Sequence, residues 1–159
     1  MARLSLKDPS ILPAAVLFAC NYNRVRSPMA EGLMKRLFGA RVYVDSVGLR
    51  ADSGQDWTDP FMAAAMDEAG IDMSRHMPKT FDDLEDQSFD LVISLTPEAQ
   101  HRAVELARGR ATDLEYWPTH DPTLVVGQRE VMLNAYREVR EAIEARLLAR
   151  VGSVRTFGG

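Results

Sequence analysis

Cys20 and Arg26 stand six residues apart, separated by Asn21, Tyr22, Asn23, Arg24 and Val25 and followed by Ser27-Pro28. An unbroken apolar run, Ala15 to Ala19, leads into the cysteine, and helical spacing begins at Ser27. That order describes a strand, a short loop and a helix N-terminus, with a thiol where the loop begins. Loop amides and the positive end of a helix dipole converge at such a place and bind anions. The same field favours the thiolate, the nucleophilic form of cysteine. A thiolate beside an anion site points to covalent attack on an oxyanion such as a phosphate ester. Arg26 adds charge-assisted bonds that hold the oxyanion's oxygens.

The elements that must position these groups follow from spacing. From Ser27, apolar residues fall at Ala30, Leu33, Met34, Leu37 and Phe38, one stripe of a helix that Gly39 ends. Ser27 is expected to cap this helix and Pro28 to occupy its first position. Val42-Tyr43-Val44 is a second strand, Thr58-Asp59-Pro60 opens a second helix running to Gly70, and Thr80 to Asp86 forms a short helical turn. Phe89 to Leu95 is a third strand, followed by a helix from Pro97 to Gly109 with Ala99, Ala103, Val104 and Ala107 inward. Leu114 to Trp117 alternates as an edge strand, and a last helix spans Gly127 to Arg150 with Met132, Ala135, Tyr136, Val139, Ile143 and Leu147 on one face. Strand and helix alternate throughout, which argues for an α/β fold with a parallel sheet covered on both faces.

In such a sheet ligands bind at the carboxyl ends of the strands. The loop after the fourth strand, Trp117-Pro118-Thr119-His120-Asp121-Pro122, opens on the same edge as the Cys20 loop. Asp121 is therefore the expected proton donor for a leaving oxygen, and afterwards the base that activates water. Two other Asp-Pro pairs compete with it. Asp8-Pro9 lies in a polar N-terminal extension, residues 1–14, and Asp59-Pro60 reads as a helix cap and first helical residue. His101 reads as a solvated helix residue and His120 as an exposed loop residue.

Composition excludes several alternatives. A chain of 159 residues with 46% apolar and 26% charged side chains is expected to form a single domain over 15–152, ending in a loose tail at 153–159. A net charge of −4 without a Lys/Arg run argues against nucleic acid as a partner. One cysteine rules out an internal disulfide framework, a cysteine-rich metal cluster and any scheme needing two thiols in one chain. No cofactor and no metal are called for. Asp8-Pro9-Ser10, Pro13 and Phe18 argue against an export signal ending at Cys20, and no stretch is long enough to span a bilayer, so the expected location is cytoplasmic.

These residues carry a resemblance to the low-molecular-weight protein-tyrosine phosphatases, a family that includes arsenate reductases and a protein-arginine phosphatase branch. The family signature is a cysteine, five residues, then Arg-Ser-Pro-Met-Ala-Glu. Here it reads Cys20, Asn21 to Val25, then Arg26-Ser27-Pro28-Met29-Ala30-Glu31. The resemblance spans about residues 15–150 and implies a three-layer sandwich on a four-stranded parallel sheet of order 2-1-3-4. It implies Cys20 as nucleophile, Arg26 as phosphate clamp and Asp121 as general acid, with Asn21 to Val25 and Ser27 around the substrate. It maps a supporting network onto Asn23, Ser27, Ser46 and His76, with Ser27 also stabilising the thiolate. Four features depart from the pattern, one being Thr123-Leu124 in place of the aromatic pair that usually follows the Asp-Pro. Tyr22 stands where glycine is common, and Val25 replaces a second cysteine. Arg24 occupies the position where bulky apolar or small polar residues set substrate preference.

The leading expectation is a phosphomonoesterase working through a cysteinyl-phosphate, acting on a phosphorylated protein or a small phosphate ester. Phosphate, vanadate and arsenate are expected ligands. An arsenate reductase that uses Cys20 with an external thiol is the second reading. A non-catalytic oxyanion- or phosphopeptide-binding module, its loop distorted by Tyr22 and Arg24, is the third.

Overall fold

A computed structural model describes residues 12–52, 57–85 and 88–157. Residues 1–11 of the expected extension lie outside them. The elements in chain order are β1 (Ala15–Cys20), α1 (Arg26–Phe38), β2 (Tyr43–Gly48), α2 (Pro60–Glu68), β3 (Leu91–Ser94), α3 (Pro97–Ala107), β4 (Asp113–Tyr116) and α4 (Arg129–Phe157). Single 3-10 turns lie at Gly39–Arg41, Phe81–Asp83 and Pro122–Leu124. The four strands are parallel and ordered β2-β1-β3-β4.

β1 is the central strand because its side chains are apolar on both faces. Val16, Phe18 and Cys20 point into a core shared with α1, α2 and α4. Leu17 and Ala19 point the other way, against α3, Phe81 and Phe89. The two-residue alternation of a strand therefore serves two helical layers at once. The chain leaves β1 to one side for β2 and to the other for β3, so the carboxyl end of β1 is a topological switch point. Cys20 sits there, in register with Gly48 of β2.

α2 begins as its Asp-Pro pair predicts: Asp59 Oδ1 accepts from the amides of Phe61 and Met62 at 2.8 and 3.1 Å. The other carboxylate oxygen accepts from Tyr136 Oη of α4 at 3.1 Å. Burial, then the Asp59 charge, push the Tyr136 phenol up, so it stays protonated and donates. One buried aspartate thus caps α2 and fastens it to α4. At the far end of α2, Arg137 grips both oxygens of Glu68 at 2.8 and 2.7 Å.

Three features differ from the periodicity. On α3 Leu106 is buried while Val104 is 44% exposed, so the stripe runs through Ala99, Ala103 and Leu106. On α4 the core face uses Leu133, and Met132 is only half-buried. α4 also continues to Phe157, through most of the stretch expected to be a loose tail. At the other end, the Ala14 amide bonds Asp90 Oδ2 at 2.7 Å and Leu12 packs on the core. No helix among the described residues is long and apolar enough to cross a membrane.

Candidate functional site

Residues 21–25 form the loop between β1 and α1. Asn23, fully buried, takes φ 57°, the one left-handed non-glycine residue among those described. Asparagine tolerates this conformation better than most side chains. Tyr22 has no positive φ, so its side chain meets no left-handed strain at this position. It stands 41% exposed on the cleft wall, with the Arg50 guanidinium 5.8 Å from its ring centroid.

Ser27 is not the cap of α1. The helix starts at Arg26 behind Val25, and no side chain caps it. The first-turn amides are left without the partner a cap would supply, which is the condition for anion binding. The Ser27 hydroxyl is turned to the thiol instead, with Oγ 2.9 Å from Cys20 Sγ.

The proton inventory orders the network behind the loop. Asn23 Nδ2 donates to Ser27 Oγ and to Ser46 Oγ, both at 2.9 Å. Ser46 Oγ donates to the Glu31 carboxylate at 2.5 Å, and Lys35 pairs with the same carboxylate. A carboxylate only accepts, so the single Ser46 hydrogen is committed to it and Ser46 must accept from Asn23. Both amide hydrogens of Asn23 are then spent on serines. Ser27 therefore also accepts, and its own hydrogen is left for Sγ at 2.9 Å or for Val47 O at the longer 3.3 Å. Asn23 Oδ1 accepts from the Lys79 amide at 3.0 Å.

His76 closes the brace. Its Nε2 lies 2.8 Å from the carbonyl oxygen of Asn23. Burial pushes its pKa below the usual histidine range, against the opposing effects of the Asn23 bond and Glu31. The ring is thus neutral near pH 7, and the carbonyl fixes its hydrogen on Nε2. At the front of the loop, Asn21 Oδ1 accepts from Thr96 Oγ1 at 2.8 Å, and the Thr96 hydroxyl also caps α3.

The loop after β4 reaches the same cleft. Arg26 Nη1 donates to Thr119 O at 3.1 Å, and Nη2 lies 3.7 Å from Asp121 Oδ2. Asp121 Oδ1 is held by the Thr123 amide and hydroxyl at 3.0 and 2.7 Å. Cys20, Arg26 and Asp121 line one cleft of about 260 Å³ together with Tyr22, Arg24, Val25, Asp52 and Thr123. Ser46 and His76 brace the loop from behind and do not line it.

Several of these residues carry no local signature. Glu31 is visible only as part of the motif, and Asp52, Thr96 and Thr123 only as polar loop residues. Gly48 is the least visible. A Cβ there would lie 2.6 Å from the Tyr22 carbonyl carbon and 2.7 Å from the Asn23 amide nitrogen, so only glycine lets the loop backbone cross β2 so closely.

The family model described as low molecular weight phosphotyrosine protein phosphatase matches residues 15–155. The chain belongs to that family. Its members are cysteine-dependent hydrolases, and the sheet order is theirs. An arsenate reductase of Halalkalibacterium halodurans is 33% identical over 132 residues, covering 83% of this chain and 91% of the relative. A glutaredoxin arsenate reductase of Synechocystis is 31% identical over 137 residues, covering 86% and 97%. A solved arsenate reductase in its phosphate-binding state superposes with a TM-score of 0.70 at 28% identity, over 88% of this chain and 98% of that one. Proteins named for phosphotyrosine phosphatase and for arsenate reductase activity are thus both similar to this chain.

Proposed function

We propose that this family member is a phosphomonoesterase that works through a cysteinyl-phosphate. The observation that carries the reading is the convergence of thiol, guanidinium and carboxyl group on one cleft in a sequence with a single cysteine. Cys20 Sγ attacks phosphorus and forms the S–P bond as the P–O bond to the leaving group breaks. Asp121, protonated for this step, gives its proton to the departing oxygen. Arg26 and the uncapped amides at the start of α1 hold the phosphoryl oxygens, whose charge they balance in the transition state. The Asp121 carboxylate then takes a proton from water as its oxygen attacks phosphorus. The S–P bond breaks, releasing inorganic phosphate and the thiolate, which the Ser27 hydroxyl stabilises. Tyr22, Arg24 and Val25 border the leaving group, while Asn21, Asn23, Ser46 and His76 hold the loop. No electron transfer is involved, so the lack of a second thiol costs the cycle nothing.

The names of the curated relatives favour a second reading, arsenate reduction. There Cys20 would bond to arsenic, and an external thiol would attack that adduct and supply the electrons, because one cysteine cannot close a disulfide within the chain. Turnover of 4-nitrophenyl phosphate in chelator, beside arsenate with glutathione and glutaredoxin, separates the two. The phosphatase reading expects metal-independent hydrolysis that vanishes in Cys20→Ser and falls about 10²–10⁴-fold in Asp121→Asn. Arsenate turnover with negligible ester hydrolysis would overturn it.

A further inference from the structure

The cleft holds a second guanidinium whose bonding is incomplete. The Arg24 side chain is only 11% exposed, and its one ion pair among the described residues is a long 3.4 Å contact from Nη1 to Asp52 Oδ2. Its Nε is buried without a hydrogen-bond partner among the described residues. A guanidinium carries five donors in a fixed fork and cannot give up its charge, so a buried one with a single weak bond has strong unused capacity for an anion. The Trp57 ring, 4.9 Å from the guanidinium carbon, holds the fork in place and supplies no acceptor oxygen. Asp52 is 33% exposed, so its carboxylate can turn to water when a better acceptor arrives. Arg26, also in the cleft, bonds Thr119 O and faces Asp121 of the loop after β4, which leaves Arg24 as the cleft cation not engaged with the proposed acid.

Resting on the phosphomonoesterase reading, we infer that Arg24 forms a second anion subsite in the cleft, and that the substrates are phosphate monoesters carrying a further anionic group, such as a carboxylate, beside the phosphoryl group. The phosphoryl end sits over Cys20 and the α1 amides, the organic part lies against Tyr22 and Val25, and the second anion displaces Asp52 from Arg24. Specificity then comes from a charge-assisted bond that neutral aryl phosphates cannot make.

The test compares phenyl phosphate with its 3- and 4-carboxyl and 4-aminomethyl derivatives. Each is measured on the full chain as wild type, Arg24→Gln and Asp52→Asn. The ratio of kcat/KM for the better carboxylated ester to that for the plain ester is expected near tenfold in the wild type and near one in Arg24→Gln. It should rise several-fold above wild type in Asp52→Asn, because the competing carboxylate is gone. The wild-type preference should shrink as salt is raised. A wild-type ratio of one or less, preference for the aminomethyl ester, or a ratio unmoved by Arg24→Gln overturns the subsite. If Arg24→Gln does not fold, the Asp52→Asn arm decides, and no rise there overturns it. Titration calorimetry with benzylphosphonate and its 4-carboxyl derivative gives the same ratio from affinities and needs no turnover. Failure to hydrolyse any ester would therefore count against the reaction, while the affinity ratio alone judges Arg24.

Discussion

Gly48→Ala isolates how far the reacting loop depends on the neighbouring strand. Gly48 does not adopt a left-handed φ, so alanine meets no backbone strain and any effect is steric. The new methyl would stand 2.6 Å from the Tyr22 carbonyl carbon, 2.7 Å from the Asn23 nitrogen and 2.9 Å from Tyr22 Cα, whereas ordinary contact begins near 3.4 Å. The gap that must open is thus about 0.8 Å, the difference between 3.4 and 2.6 Å. All three obstacles are backbone atoms, so no rotamer change relieves them. β2 cannot retreat cheaply, because the Gly48 amide bonds Lys79 O at 2.8 Å and its strand is paired with β1. The loop must move instead. Overpacking of this kind costs about 1–3 kcal/mol of stability. A displacement of about 1 Å in groups that position a reaction costs about 10²-fold in rate. Urea unfolding should show the lowered midpoint at unchanged slope. Kinetics on an aryl phosphate should show kcat/KM down by about two orders of magnitude, with weaker inhibition by inorganic phosphate. An alanine variant with wild-type stability and wild-type kcat/KM would refute the close crossing. Lost stability with intact kinetics would refute the claim that the loop, rather than β2, yields.

The brace around the loop gives three more tests. Asn23→Ala and Asn23→Gly lose the same three side-chain hydrogen bonds, but only alanine is strained at φ 57°, so in urea the alanine variant should be the less stable by about 1 kcal/mol; equal midpoints would remove the left-handed geometry from the account. Ser27→Ala deletes the donor 2.9 Å from Sγ and should slow alkylation of Cys20 by iodoacetamide at neutral pH about tenfold, and an unchanged rate would mean the hydrogen goes to Val47 O. Because burial lowers the folded-state pKa of His76, the unfolded chain binds its proton first on acidification. This part of the stability is present above about pH 6.5 and is lost as pH falls through the folded value. His76→Gln should flatten the stability profile in that window; a profile with the wild-type slope would count against the assignment.

What was legible in the sequence was what is encoded over short stretches. The apolar run into Cys20 marks a strand buried on both faces, and Asp59-Pro60 marks a helix start, because in each case the physical cause lies within a few residues. Asp121 could be placed by topology, since a βα loop must open at the carboxyl edge of its strand. Ser27 shows where local rules lose. Ser-Pro is a good helix start by sequence, yet the hydroxyl is worth more against the thiol and Asn23 than as a cap, and the uncapped amides remain open to an anion. Val104 and Leu106 exchange places on α3 for a similar reason, as either residue satisfies an apolar spacing and the face is chosen by the sheet above it.

The same distinction separates the reaction from its substrate. The proposed nucleophile and clamp and the thiol-facing hydroxyl lie within eight residues, Cys20 to Ser27, so their chemistry can be inferred from one motif. The rim is assembled from three places: Tyr22 and Arg24 in the loop, Asp52 and Trp57 after β2, and Thr123 after β4. None of these is informative alone. Arg24 on its own looks like an added positive charge at the mouth. Beside Asp52 and under Trp57 it is a buried, half-satisfied donor array, and the difference lies entirely in contacts between distant segments. A change at Asp52 or Trp57 therefore alters the charge offered to a substrate without touching the groups proposed to break its phosphate bond. Variation along this rim would change which substrates enter while leaving the loop from Cys20 to Ser27 in place.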